Sequence, residues 1–128
     1  MSFVNKVILL GNCGGDPEVK IFDNGSKIAT VSLATSKFYR SENGEKQTIV
    51  EWHRIVIKNK HIIQHIIEKG YIKKGSKIYL EGELSTKEFK DANGLNANRI
   101  TEVVINNSHY ISILSNKDNI SSEDYGNF

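Results

Sequence analysis

The order of periodic segments predicts an all-β domain with a single helix. Three observations carry this. Stretches rich in β-branched residues alternate with period two, as half-buried strands do. One isoleucine-rich segment instead has the helical period. Strands and helices do not alternate along the chain, which argues against a parallel α/β sheet.

The first strand is expected at Phe3–Gly11, "FVNKVILLG". "NCGGDP" bends it and "EVKIF" continues it. "DNGS", Asp23 to Ser26, is a hairpin turn signal. "KIATVSLATS" alternates cleanly from Lys27 to Ser36. "KFYRSENGEKQT", Lys37 to Thr48, reads as a polar loop carrying two adjacent aromatics. "VEWHRIVIKNK" is the third strand. Alternation puts Val50, Trp52, Arg54, Val56 and Lys58 on one face, and Glu51, His53, Ile55 and Ile57 on the other.

The helix is expected at His61–Gly70. Ile62, Ile63, Ile66 and Ile67 form its apolar stripe, and Gly70 is placed to cap it. "KIYLEGEL" is the fourth strand and "ITEVVI" the fifth. Between them Ser85 to Arg99 reads as a projecting hairpin turning at Asn93-Gly94. "HYISIL" adds a short extra strand. Three strands, a helix and two strands match the small five-stranded OB-fold barrel, with the helix between strands three and four. An SH3-like barrel with a helical insertion is the structural alternative.

A chain of 128 residues suffices for one domain with a real core. The domain is expected at residues 1–114. Residues 115–128 lack periodicity and read as a short disordered acidic tail. The tail carries one lysine and three acids, so the net +2 of the chain becomes +4 over residues 1–114. That charge is compatible with a nucleic-acid partner. The single cysteine, Cys13, excludes an internal disulfide and a multi-cysteine zinc site. No apolar run has the length of a membrane span, and the start does not read as a signal peptide. The expectation is a soluble, intracellular protein.

No catalytic constellation emerges. His61 and His65 stand one helical turn apart, but isoleucines surround them and no third ligand is near in sequence. They read as a solvated helix edge. "GNCGGD" lacks the Gly-Lys-Ser/Thr ending of a phosphate loop and reads as a strand bend. No metal and no cofactor is expected. The aromatics are more informative. Phe38 and Tyr39 lie among Lys37 and Arg40, Trp52 beside Arg54 and Lys58, and Phe89 between Lys87 and Lys90. Aromatic faces flanked by cations suit single-stranded nucleic acid, because every base has a π-face and every linkage a negative charge.

The segments "VNKVILLGNCGGDPEV" (4–19), "SLATS" (32–36), "EWHR" (51–54), "KKGSKIYLEGEL" (73–84) and "TEVVI" (101–105) together resemble the bacterial and organellar single-stranded DNA-binding proteins. The resemblance implies an OB-fold protomer in a homotetramer. Such a protein coats single strands without sequence preference in replication, recombination and repair, in a bacterial cytoplasm or a bacterially derived organelle. The family's stacking tryptophans fall on Tyr39, Trp52 and Phe89. Its basic positions fall on Lys6, Arg54, Lys60, Lys73 and Lys74. His53 matches a histidine at a subunit contact, although alternation also allows it to face its own barrel. The family's phenylalanine at the next stacking position is replaced by Lys58. The Gly/Pro/Gln-rich linker is absent. The family's acidic tip, which recruits replication and repair proteins, is absent too: the chain ends "SSEDYGNF", whose Glu123, Asp124 and Phe128 read either as a vestigial tip or as an unrelated end. Two other readings stay open: an RNA- or tRNA-binding OB domain, and a primosome-like protein-binding scaffold. No membrane partner is expected.

Overall fold

The protein, represented by a computed structural model, is described over residues 2–95 and 97–115. Its strands are β1 (Val7–Cys13), β2 (Glu18–Ile21), β3 (Lys27–Arg40), β4 (Lys46–Ile57), β5 (Lys77–Lys90), β6 (Ala97–Ile105) and β7 (Tyr110–Ser115). Between β4 and β5 lie α1 (Lys60–Ile62) and a π-helical turn, Ile63–Ile67. The neighbour order is β1-β3-β4-β6-β5, and β5 pairs back onto β1 to close the barrel. This is the expected OB fold. Antiparallel pairs make up the wall except at β4 and β6, which run parallel from Ile55↔Val103 to Ile57↔Ile105. β2 continues the first strand beyond the Gly14–Gly15 bend, and β7 pairs with β5.

Alternation fills the barrel. Ala29, Val31 and Leu33 of β3 point inward with Ile55 and Ile57 of β4, Ile78 and Leu80 of β5, and Val103 and Ile105 of β6. Ile62, Ile63 and Ile67 belong to the same buried cluster and Ile66, partly buried, packs against it, so the helical segment covers the barrel with the expected isoleucine stripe, and Ile72 joins the cluster from beyond the helix. Burying each such side chain contributes about 1.5–3 kcal/mol. Asn59 starts the helix. Its Oδ1 accepts from the Ile62 N–H at 3.0 Å, while its Nδ2 donates to the Asn106 and His109 carbonyls at 3.1 and 3.3 Å. One buried amide thus ties the helix start to the β6–β7 connection.

Four boundaries differ from the sequence expectation. β1 begins at Val7, and Phe3 and Val4 are exposed. Here the Asn5 amide replaces a backbone pair, exchanging two 2.8 Å hydrogen bonds with Leu84. Second, Lys37–Arg40 and Lys46–Thr48 are strand, not loop. The β3–β4 ladder runs out to Arg40↔Lys46, and only Ser41–Glu45 turn. A two-stranded ribbon projecting into water buries neither face, so it needs no apolar alternation to keep its ladder. Third, the helix stops at Ile67. Wide-turn bonds from Glu68 N–H to Ile63 O and from Tyr71 N–H to Ile66 O finish it, and Gly70 takes a positive φ of 77°. Last, β7 includes Ser115, one residue past the expected domain boundary.

Two glycines are required by backbone approach. A Cβ on Gly11 would sit 2.2 Å from the Ala34 carbonyl oxygen, where β1 changes partners from β5 to β3. A Cβ on Gly82 would sit 2.6 Å from the Val104 carbonyl oxygen. Backbone atoms cannot step aside without breaking the wall. Gly11→Ala and Gly82→Ala should each cost at least about 1–3 kcal/mol. Gly15→Ala, with no atom within 4 Å of the added carbon, should stay within about 0.5 kcal/mol of the parent. Urea unfolding of the three variants checks this. Equal midpoints for all three would contradict the closure geometry.

Candidate nucleic-acid interface

Each long hairpin leaves the barrel as an arm, and alternation decides what each arm presents. On β4 the inward residues Ile55 and Ile57 force Trp52 and Arg54 outward. Trp52 is 62% exposed. Its indole lies over Gly14, where a Cβ would meet ring atom Cζ3 at 2.4 Å. Gly14 is held by its N–H, which donates to the Ser32 carbonyl at 2.9 Å. The ring is therefore seated on backbone with much of its surface free. Beside it, Gly14, Asp16, Glu18, Ser32, Trp52 and Arg54 line an open cleft of about 340 Å³.

Phe38 lies on the Trp52 face, because Ala34↔Trp52 and Phe38↔Thr48 share the same alternation. Lys46 Nζ stands 4.3 Å from the centroid of the Phe38 ring, a cation–π contact at the arm's tip. Tyr39 is exposed on the opposite face of the same ribbon. On the second arm, Phe89 is exposed and shares its strand face with Lys87. Trp52, Phe38, Arg54, Lys87 and Phe89 thus share one side of the sheet, and Tyr39 stands on the other side.

The cations have different surroundings. Arg54 donates from Nε to Glu102 Oε2 at 2.6 Å, and Lys87 Nζ lies 3.4 Å from Glu102 Oε1. Burial opposes ionisation of Glu102, but the Arg54 hydrogen bond and the Lys87 charge outweigh it and hold the carboxyl below its ordinary value. Lys73 and Lys74 sit in a loop fastened to the bend under Trp52. The Lys74 N–H donates to Asp16 Oδ1 at 2.8 Å, and the Gly75 N–H to the Cys13 carbonyl at 2.8 Å. Lys58 is exposed just past the end of β4, its N–H donating to the Ile105 carbonyl at 2.8 Å. Lys60 opens α1 and lines a second cleft with Lys27 and Glu68. Lys6 belongs to another group, 3.4 Å from Glu81, whose carboxylate also accepts from Tyr79 and Tyr110 at 2.7 and 3.2 Å. Those phenols and Lys6 keep Glu81 ionised, and the Tyr79 hydroxyl is pushed upward in turn, chiefly by its hydrogen bond to Glu81.

His53 points to the barrel side of β4. It is half-buried, with Nε2 2.8 Å from Thr35 Oγ1. Cys13 is buried, and burial pushes its thiol up to about 11, so it stays protonated. Among the described residues no group of three or more His, Cys, Asp or Glu side chains is placed to hold a metal ion. No helix among them is long and apolar enough to cross a membrane. Glu123, Asp124 and Phe128 lie outside the described residues. Sequence reasoning did not select Gly14, Lys46, Lys87 or Glu102 as site residues. For Glu102 a signal was present, since alternation along "TEVVI" sets it on the face away from the core.

The model of the single-strand binding protein family matches residues 4–111. A solved structure of Plasmodium falciparum SSB in complex with ssDNA has a TM-score of 0.80 and 33% sequence identity to this chain, covering 90% of it and 98% of its counterpart. With its OB barrel, its two arms and a family match over nearly the whole described length, the chain belongs to the single-strand binding protein family.

Proposed function

We propose that this chain is a non-enzymatic protein that coats and protects single-stranded DNA during replication, recombination and repair, without sequence preference. The observation that carries the reading is Trp52, seated on Gly14, mostly exposed, and sharing its strand face with Arg54. Bases stack on Trp52, Phe38 and Phe89 while Arg54, Lys73 and Lys74 neutralise phosphates. Tyr39 serves a strand that wraps round the edge of the ribbon. Lys58, Lys60 and Lys6 extend the phosphate track away from Trp52. Membership in the family and the similar DNA complex support the reading. We also propose a bacterial cytoplasm or a bacterially derived organelle as its compartment, and assign any recruitment of replication and repair enzymes to the tail.

Trp52 is the sole tryptophan and hence a clean reporter. Oligo-dT should quench its fluorescence strongly, and Trp52→Ala should cost ~1–3 kcal/mol of binding. Titration with oligo-U and duplex DNA tests the RNA alternative in the same assay. Unquenched emission at saturating oligo-dT would sink the stacking platform.

Lys58 stands where the family usually stacks an aromatic, so it trades base contact for phosphate contact. Each phosphate neutralised on a single strand contributes about 0.7 to the log–log salt slope. Lys58→Phe should flatten the slope by roughly that amount and hold its affinity at high salt. A Lys58→Ala protein with unchanged affinity and slope would show that the lysine points past the DNA.

The functional unit is proposed to be a homotetramer, about four times 14.4 kDa. His53, half-buried beside Thr35 on the barrel side of β4, then meets a neighbouring subunit only through the part of its ring that its own barrel leaves open, and His53→Tyr should weaken the assembly by overpacking. Sedimentation of the parent as a monomer at micromolar concentration would refute the tetramer.

A further inference from the structure

Among the described residues no acidic or basic side chain other than Glu102 is buried; it is 4% exposed. The place is unusual. The β4–β6 ladder ends outward at Ile55↔Val103. One residue farther, side chains take over, with Arg54 Nε 2.6 Å from Glu102 Oε2. Lys87 reaches across from β5 to within 3.4 Å of Oε1, an oxygen that accepts no hydrogen bond. One carboxylate therefore joins the roots of the two arms that carry Trp52 and Phe89.

An anion at the centre of a phosphate-binding face needs a reason, since it repels the ligand. Two features supply one. Arg54 is held through Nε, so its Nη1 and Nη2 amines, which donate to no acceptor among the described residues, remain for a phosphate. The carboxylate also cancels one of the two charges it organises.

We infer that Glu102 is a positioning residue of the single-stranded DNA face, aiming Arg54 and Lys87 and limiting the cluster to one net positive charge. The inference rests on the DNA-binding reading proposed above. With Glu102 ionised, the three groups neutralise one phosphate. Without its charge, Arg54 and Lys87 neutralise two.

The test compares parent, Glu102→Gln and Glu102→Asp by Trp52 quenching with oligo-dT across a salt series, with circular dichroism as the check on folding. Glu102→Gln should steepen the log–log salt slope by about 0.7, a gain on the order of threefold in low-salt affinity relative to the parent between about 50 and about 200 mM salt. Glu102→Asp keeps the charge and should keep the parental slope. A Gln variant with the parental slope, or an Asp variant as steep as Gln, overturns the inference while leaving parental DNA binding intact. A parent that does not bind oligo-dT overturns both readings. A second readout needs no variant. The Arg54 Nε–H proton of the parent should exchange slowly in NMR spectra with and without oligo-dT. Rapid exchange in either state means that Glu102 does not hold Arg54, and the inference fails.

Discussion

Closure of the barrel through β1 is the constraint on which the other features depend. The strand pairs with β5 from Val7 to Asn12 and with β3 at Asn12 and Cys13. To serve two partners its backbone must pass close to Ala34, and Gly11 leaves the space. The opposite side closes on the short parallel β4–β6 ladder. These contacts link segments far apart in sequence, so none is stable until the core that unites them has formed. The isoleucine-rich helical segment then covers the barrel, with Asn59 meeting both the helix start and the β6–β7 connection.

A closed barrel has consequences for the arms. Wall strands alternate strictly because one face is buried, and a slip of one residue would invert them. That register is carried outward along β3–β4 and β5–β6 into ribbons with no core of their own. The barrel therefore dictates which arm residues share a side. Phe38 joins Trp52 and Tyr39 does not, although the two are adjacent in the chain. Binding chemistry on the ribbons is set by packing inside the barrel.

Electrostatics follow the same logic. Glu102 sits where the backbone ladder between β4 and β6 runs out, and side-chain charge replaces it. A buried carboxylate is costly unless paired. Here Arg54 and Lys87 supply the pairing and are themselves held in place. At the other end of β5, Glu81 gathers Lys6, Tyr79 and Tyr110 into a separate polar group. The basic side chains thus fall into distinct local settings, some tied to carboxylates and some, such as Lys58, exposed past the end of a strand.

Much of this was legible in the chain itself. Period-two alternation and the isoleucine stripe determined the strands, the helix and the core, because burial on one face leaves a periodic record. The glycine-containing turns at Asn24-Gly25 and Asn93-Gly94 were legible for a similar reason, since positive φ favours glycine. The arm residues Lys37–Arg40 left no such record. None of them joins the core, so their polarity reads as loop while their backbone continues the ladder. Only the tertiary structure decided the seating of Trp52 on Gly14, the Lys46–Phe38 contact, and the Arg54–Glu102–Lys87 cluster. Arg54 and Glu102 are far apart in the chain, and no local pattern encodes that a parallel pairing brings them within 2.6 Å. Composition and period record what each residue must bury. Barrel closure determines which distant residues meet.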